Sequence, residues 1–359
     1  MLSYRERFKK CMAHEPLDRP PMDVWLDSNN PKVKADLLKY TGFDTYEDLL
    51  DAYEIDIWRT KPGVLPEFAD TELEFHRFFM PNVEAKYLTL SSEIERPLIS
   101  IEDPKELHDM PWPAPDIFAY ESLIPLCEPQ KDRVIWVQPG TWSPIFARMC
   151  DLSGMEKVLM DMILNPDLTY AVIERIYSFY YEVFKRTLEA GRGIIDVFSF
   201  GDDYATQLDM MIDVKHWRQY FKEPARKLIE LAKSYGSLVA FHSCGAIDRI
   251  IPDLIEIGVD ILFPIQPLAK GMGAERLKKE YGKDLVFYGG VDVQHILPHG
   301  TEKEVREEVA RVLDVFGTDG GYILCSGHSI LEDVPNTNIV AMYDEAIKIA
   351  KRRERSVEN

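Results

Sequence analysis

The sequence predicts a single α/β domain, a (β/α)8 barrel, and three observations carry the prediction. Eight short β-rich runs recur along the chain, segments with helical periodicity separate them, and each run is almost continuously apolar. Strands buried on both faces of a parallel sheet must have that character, and eight of them suit a closed barrel. The chain has 359 residues, long for one ordinary domain but usual for a barrel of this kind.

The runs, in order, are PMDVWL (21–26), EIDIWR (54–59), VIWVQ (134–138), GIIDVFSF (193–200), SLVAFH (237–242), VDILFP (259–264), LVFYGG (285–290) and GYILCS (321–326). Between them lie amphipathic segments such as PDLTYAVIERIYSFYYEVFKRTLEAG and TEKEVREEVARVLDVFG, whose apolar residues return every three or four positions and so share one helix face. The interval between the second and third runs is too long for a crossover helix. Residues at about 62–130, with KYLTLSSEIERPLIS and the proline-dense DMPWPAPDIFAY, are expected to form a β-containing insertion and loop wrapped on the barrel. The barrel with its insertion is expected over 1–350, followed by a charged, disordered tail at 351–359 that includes RRERSVEN. No solenoid repeat or low-complexity segment is present.

Charge narrows the partners. Lys and Arg number 42 against 61 Asp and Glu, a formal net charge of -19, and such a field repels phosphate backbones and anionic membrane surfaces. Nucleic acid and membrane are therefore not expected partners. The opening MLSYRERFKKCMAHEPLDRPP has no apolar core of a leader, and no stretch of about 18 apolar residues occurs, so a cytoplasmic location is expected. Five cysteines form a sparse, odd set that argues for free thiols. Cys11, Cys127 and Cys150 stand in helical or loop contexts, whereas Cys244 and Cys325 stand at strand ends.

In LVAFHSCGAI the fifth run stops at His242, with Cys244 two residues on and Gly245 after it. Residues i and i+2 of a strand share a face, so His242 and Cys244 are neighbours and Ser243 turns away. At the C-terminal end of a barrel strand that face looks into the mouth, where this fold builds its active sites. Gly245 permits a sharp turn. Cys325 ends the eighth run, and strands five and eight of a closed barrel both project into the central space. One imidazole and two thiolates make a three-ligand set that suits zinc and leaves its fourth position open. Two thiolates also cancel the charge of the ion and make it a mild Lewis acid. A second reading stays open at this point: cysteines packed as small hydrophobes beside a histidine bonded to a backbone carbonyl.

Four stretches, YRERFKKCMAHEPLDRPPMDVW, FHSCGAIDRIIPDLIEIGVDILFPIQP, LVFYGGVDVQHIL and GTEKEVREEVARVLDVFGTDGGYILCSGHSILEDVPNTNIVAMYDEA, resemble the uroporphyrinogen decarboxylase superfamily. The resemblance covers both ends of the chain and is strongest from about residue 190 onward. It implies a (β/α)8 barrel and one of two activities: cofactor-free decarboxylation of a tetrapyrrole, or zinc-dependent methyl transfer with a corrinoid protein in anaerobic one-carbon metabolism. The decarboxylases carry an arginine-bearing motif of the type R-Q-A-G-R near the N-terminus. Here the first run reads MDVWLDSNNPKVKAD, with Asp23 and Asp27 where a polyanion needs cations. The methyltransferase branch carries H-x-C and a distant C, which His242, Cys244 and Cys325 match. Some thiol-methylating members place an acidic residue about twenty positions after H-x-C; Ile265 and Gln266 stand there in this chain, and Gln266 offers an oxygen.

On this reading zinc (Zn2+) either withdraws charge from the heteroatom that carries the methyl group or holds a thiol as thiolate. Corrinoid-binding domains carry D-x-H-x-x-G, and none of the eight histidines stands in that pattern. The corrinoid (cobalamin) is therefore expected on a partner protein that docks on the βα-loop rim. A small-molecule methyl donor or acceptor completes the partners, and a homodimer is compatible with them.

Further polar residues fall at predicted strand ends. Asp202 and Asp203 in FGDDYA are the candidate catalytic carboxylates; Gln138, Gln266, Asp292 and His328 are candidate substrate contacts. Trp142 and Tyr204, with Trp136, are candidates to flank an aromatic substrate. The same residue types serve chain reversal and helix capping in any βα loop. No phosphate-binding, serine-hydrolase or H-E-x-x-H motif is present. The leading expectation is methyl transfer between a small methylated compound, a methoxylated aromatic by preference, and a separate corrinoid protein. A methylcobamide:thiol methyltransferase, a cofactor-free decarboxylase and a non-catalytic barrel with structural cysteines are the alternatives.

Overall fold

Seven of the eight expected runs pair into one parallel ladder. The computed structural model describes residues 2–28, 30–65, 96–110, 112–140, 145–317 and 319–357. Its strands are β1 (Ile57–Thr60), β2 (Gly63–Val64), β3 (Phe118–Ala119), β4 (Val134–Val137), β5 (Val197–Gly201), β6 (Leu238–His242), β7 (Ile261–Ile265), β8 (Val286–Val291) and β9 (Tyr322–Ser326). The ladder runs β1-β4-β5-β6-β7-β8-β9, while β2 and β3 form a separate antiparallel pair. Some strands start inside the expected runs. β5 begins at Val197 because Ile194 and Ile195 donate back to Gly191 in the turn that ends the preceding helix, at 3.0 and 3.2 Å.

The first run, 21–26, stands in the eighth position and closes the ring without forming a regular strand. Asp23 N donates to Leu324 O and Leu324 N to Pro21 O, while on the other side Asp56 N donates to Met22 O. Pro20 and Pro21 bring no N–H to this edge, which limits its ladder. A buried ionic network holds the segment. Asp56 accepts from Arg7 and Arg19, each at 2.6 Å, and from Met22 N at 2.8 Å. Asp18 takes the other edge of Arg7 through bonds of 2.8 and 2.9 Å.

Alternation along the strands sorts the core into two shells. Ile57, Val134, Trp136, Val197, Ala240, Ile261, Phe263, Val286, Tyr288, Ile323 and Cys325 fill the barrel interior. Their neighbours Ile135, Val239, Phe241, Leu262, Phe287 and Leu324 face the helices. The helix Pro166–Ala190 shows why the outer shell forms. Asn165 caps it, proline opens it, and Leu168, Val172, Ile176, Phe179, Val183 and Leu188 are buried along one stripe.

Leu98, Leu107, Phe118 and Leu123 of the insertion join the same outer-shell cluster. Residues 86–95, most of KYLTLSSEIERPLIS, lie outside the described residues. At the chain's end the expected disorder is corrected over 351–357, which continue the helix Asn336–Val357; residues 358 and 359 lie outside the described residues. Lys, Arg and Glu favour helix there, and Arg353 Nη2 anchors it on Asp314 at 3.1 Å. Among the described residues no helix is long and apolar enough to cross a membrane.

Candidate metal centre at the mouth of the barrel

β6 places His242 at the rim because its neighbours crowd against it. Gly201 of β5 pairs with His242, and a Cβ at Gly201 would lie 2.0 Å from His242 O, so only glycine allows this approach. Beyond the strand the chain turns at Gly245, which has φ +82. Three bonds fix the turn: Cys244 N to Asp203 Oδ1 at 2.8 Å, Gly245 N to Gln266 Oε1 at 2.9 Å, and Ala246 N to Thr206 O at 2.8 Å. His242 Nε2 then lies 3.4 Å from Cys244 Sγ and 3.5 Å from Asp203 Oδ1.

The third member of the cluster is His328. Among the described residues, donor atoms of His242, Cys244 and His328 all lie within 4.8 Å of one another. The ring of Trp25 covers both histidines, with centroids 4.9 Å from His328 and 5.9 Å from His242, and Phe263 packs edge-on to His242 at 5.0 Å. His328 Nδ1 contacts Ser329 Oγ at 3.0 Å.

Cys325, expected beside His242 and Cys244 as a metal ligand, lies outside this cluster. Its thiol is fully buried in the barrel interior, 3.0 Å from the hydroxyl of Tyr288. The reason is the turn that follows β9. Gly327 N donates to Val291 O at 2.7 Å, and a Cβ at Gly327 would meet Ile265 O at 3.0 Å. The chain thus bends tightly over the ends of β7 and β8, and the residue delivered to the rim is His328.

Several other expected site residues have structural duties. Asp202 accepts from the N–H groups of Ile145, Phe146 and Ala147 at 2.8, 2.5 and 3.0 Å, so it holds the start of the helix Phe146–Ser153 and is no free catalytic carboxylate. Asp292 does the same for the helix Ile296–His299, accepting from Gln294, His295 and Ile296. Tyr204 is buried among Phe146, Trp217 and Phe221, in the core and not in the mouth. Gln266 braces Gly245 and also accepts from Gln207 Nε2 at 2.6 Å. Gln138 is half-buried just past β4, its N–H bonded to Thr60 O. Trp136 lies in the interior, donating to Ser199 Oγ at 2.7 Å. Trp142 lies outside the described residues. Asp203 alone of the two candidate carboxylates faces the cluster.

Electrostatics favour a cation here. Burial, then the charge of Asp203, pushes the Cys244 thiol well above its ordinary value. Burial pulls His328 down to about 4, so its ring is neutral at pH 7 and offers a lone pair. Against the upward push of burial, the His242 contact and the Cys244 N–H hold Asp203 at about 2. Two imidazoles, one thiol and an adjacent carboxylate fit a borderline-soft divalent ion, and a thiolate at Cys244 needs one.

One group beneath the rim has a single signal in the sequence: Arg59 is the lone cation in an apolar run, two residues from inward-facing Ile57. Its Nε pairs with Asp23, which also accepts from Tyr288 at 2.7 Å.

Comparison with known proteins agrees with the architecture. The profile of the family described as uroporphyrinogen decarboxylase (URO-D) matches residues 90–349. A uroporphyrinogen decarboxylase of Wolinella succinogenes is 21% identical over 191 residues, 53% of this chain and 50% of that protein. Another, of Pseudoalteromonas translucida, is 36% identical over 61 residues, 17% of each protein. The chain thus matches half or less of the length of these curated relatives. A solved methyltransferase from Methanosarcina mazei shares the fold, with a TM-score of 0.67 at 17% identity over 97% of this chain and 99% of that one.

Proposed function

The chain belongs to the uroporphyrinogen decarboxylase family, and from that premise we propose that it is a zinc-dependent methyltransferase acting between a small methylated compound and a corrinoid carried by a separate protein. The observation that carries the reading is the joining of His242, Cys244 and His328 within 4.8 Å at the barrel mouth. These three residues would hold the zinc, with His328 taking the place expected of Cys325. When bound there, zinc supplies a Lewis acid that draws charge from a methyl-bearing heteroatom or stabilises a thiolate.

The chain's own residues do the rest. Asp203 orients the His242 ring and, through the Cys244 N–H, the turn that aims the thiol. Trp25 and Phe263 wall the histidines with rings and keep water from one side of the cluster. Such flat walls favour a planar substrate, and a methoxylated aromatic is the preferred class. Around the mouth, Leu208, Leu268 and Leu331 on the loops after β5, β7 and β9 are 75%, 53% and 46% exposed. Apolar rim positions of this kind suit a protein that covers the opening. The Methanosarcina protein of the same fold is itself a methyltransferase.

The curated relatives support a second reading, cofactor-free decarboxylation. One pair of assays separates the two. Zinc-loaded protein is mixed with reduced free cobalamin and a methoxylated aromatic, and the corrinoid spectrum is followed. The same protein treated with a chelator is given uroporphyrinogen. Zinc-dependent methylation in the first supports methyl transfer, and decarboxylation in the second replaces it.

A further inference from the structure

Arg59 presents an unused edge. It sits on β1 in register with Trp136 of β4, and its guanidinium carbon lies 4.3 Å from the Trp136 ring centroid. Tyr288, Trp25 and Phe263 surround it at 5.0, 5.4 and 5.6 Å. Among the described residues its one hydrogen-bond acceptor is Asp23, reached through Nε. Nη2 is shielded from solvent and has no acceptor.

That arrangement is incomplete for a purely structural arginine. The four rings compensate part of the cost of burying the charge, but a ring face does not replace an acceptor in the plane of the guanidinium. A buried donor left without one carries its desolvation penalty uncompensated, and folded proteins rarely keep such a group without a purpose. Asp23 meets the fork only at Nε, through the oxygen that also accepts from Tyr288, and so leaves Nη2 unpaired. The free edge of a planar fork matches a carboxylate through two parallel bonds.

Its position says whose carboxylate. Trp25 and Phe263, two of the four rings around Arg59, are also the rings against His242, and Trp25 lies tilted against His328. The guanidinium and the donor cluster therefore share two walls, and 17% of the Arg59 side chain is open to solvent. We propose that Arg59 is the receptor for a carboxylate on the small molecule whose reacting end meets His242, Cys244 and His328. The substrate class is then a small organic anion. The inference rests on the mouth being a substrate site, as the proposed function holds, and deepens that reading by naming the charge of the substrate.

Calorimetric titration of the zinc-loaded full chain tests it, using 3-methoxybenzoate and its uncharged counterpart methoxybenzene as probes. Wild type should bind the anion at least about tenfold more tightly than the neutral probe. Arg59→Gln should abolish that preference, and Arg59→Lys, which keeps the charge without the fork, should retain part of it. Zinc content should match wild type in the variants, while the thermal midpoint of Arg59→Gln falls with the loss of the Asp23 pair. Should Arg59→Gln fail to fold, the loss of preference is read from Arg59→Lys. Equal binding of both probes, no saturable binding of the anion, or a preference undiminished in the variants overturns the proposal. Selective anion binding without methyl transfer would sink the proposed reaction and leave this inference standing; methyl transfer without selectivity would do the reverse.

Discussion

The hydroxyl of Tyr288 lies 3.0 Å from Cys325 Sγ and 2.7 Å from Asp23 Oδ2. It has one proton, which the carboxylate claims, so the thiol donates to the phenol oxygen. Burial and the charge of Asp23 hold Cys325 up at about 11, in agreement with a protonated donor. Tyr288→Phe leaves both the thiol and the carboxylate short of a partner inside the barrel. It should cost about 1–3 kcal/mol in urea denaturation. An unchanged midpoint would show that the contact holds nothing together.

Zinc affinity should separate His328 from Cys325. In competition with a chromophoric chelator, His242→Ala, Cys244→Ser and His328→Ala should each weaken binding by about 100-fold or more. Cys325→Ser should change it by no more than about threefold, since Cys325 stands outside the cluster. The reverse ranking of Cys325 and His328 would return the ligand set to the one expected from the sequence.

Acid should loosen the closure of the ring through Asp18. Burial pushes its carboxyl up, but the bonds from Arg7, with those from the N–H groups of Leu2 and Arg19, bring it down to about 2. The unfolded chain binds this proton more readily than the folded one. The stability Asp18 contributes is therefore present above about pH 4 and lost as pH falls towards 2. It amounts to roughly 2 kcal/mol. The difference in urea midpoint between wild type and Asp18→Asn should shrink across that window, and a difference independent of pH would refute the assignment.

Gly245→Ala tests the turn that aims Cys244. Its φ is +82, and a Cβ would lie 2.5 Å from Thr206 O and 2.7 Å from Ala205 O. Since both obstacles are backbone, the substitution should cost more than about 2 kcal/mol and reduce zinc affinity together with stability. Normal zinc binding in a stable Gly245→Ala protein would mean that the turn does not govern the site.

What the sequence made legible follows from which forces act locally. Burial of both strand faces leaves apolar runs, so β4 to β9 were readable as text, and a period of two made His242 and Cys244 neighbours. The run at 21–26 was placed correctly, although its prolines keep it from becoming a regular strand. Cys325 ends an apolar run and so reads as a rim residue, but the bend at Gly327 decides which residue reaches the mouth, and that bend depends on Val291 and Ile265 from other strands. Asp202 and Asp203 are adjacent and chemically alike; the helix beginning at Phe146 claims one of them. No local pattern carries that distinction. Arg59 was hidden for a similar reason, since its four rings come from four separated segments.

Trp25 touches His328, His242 and Arg59 with one indole. Its fluorescence should therefore report on whatever enters the mouth, by quenching or by a shift in emission colour, without any attached dye. Subtracting the spectrum of Trp25→Phe would isolate that signal from the other five indoles of the chain, and so give the barrel a native optical gauge that reads ion and ligand on separate additions.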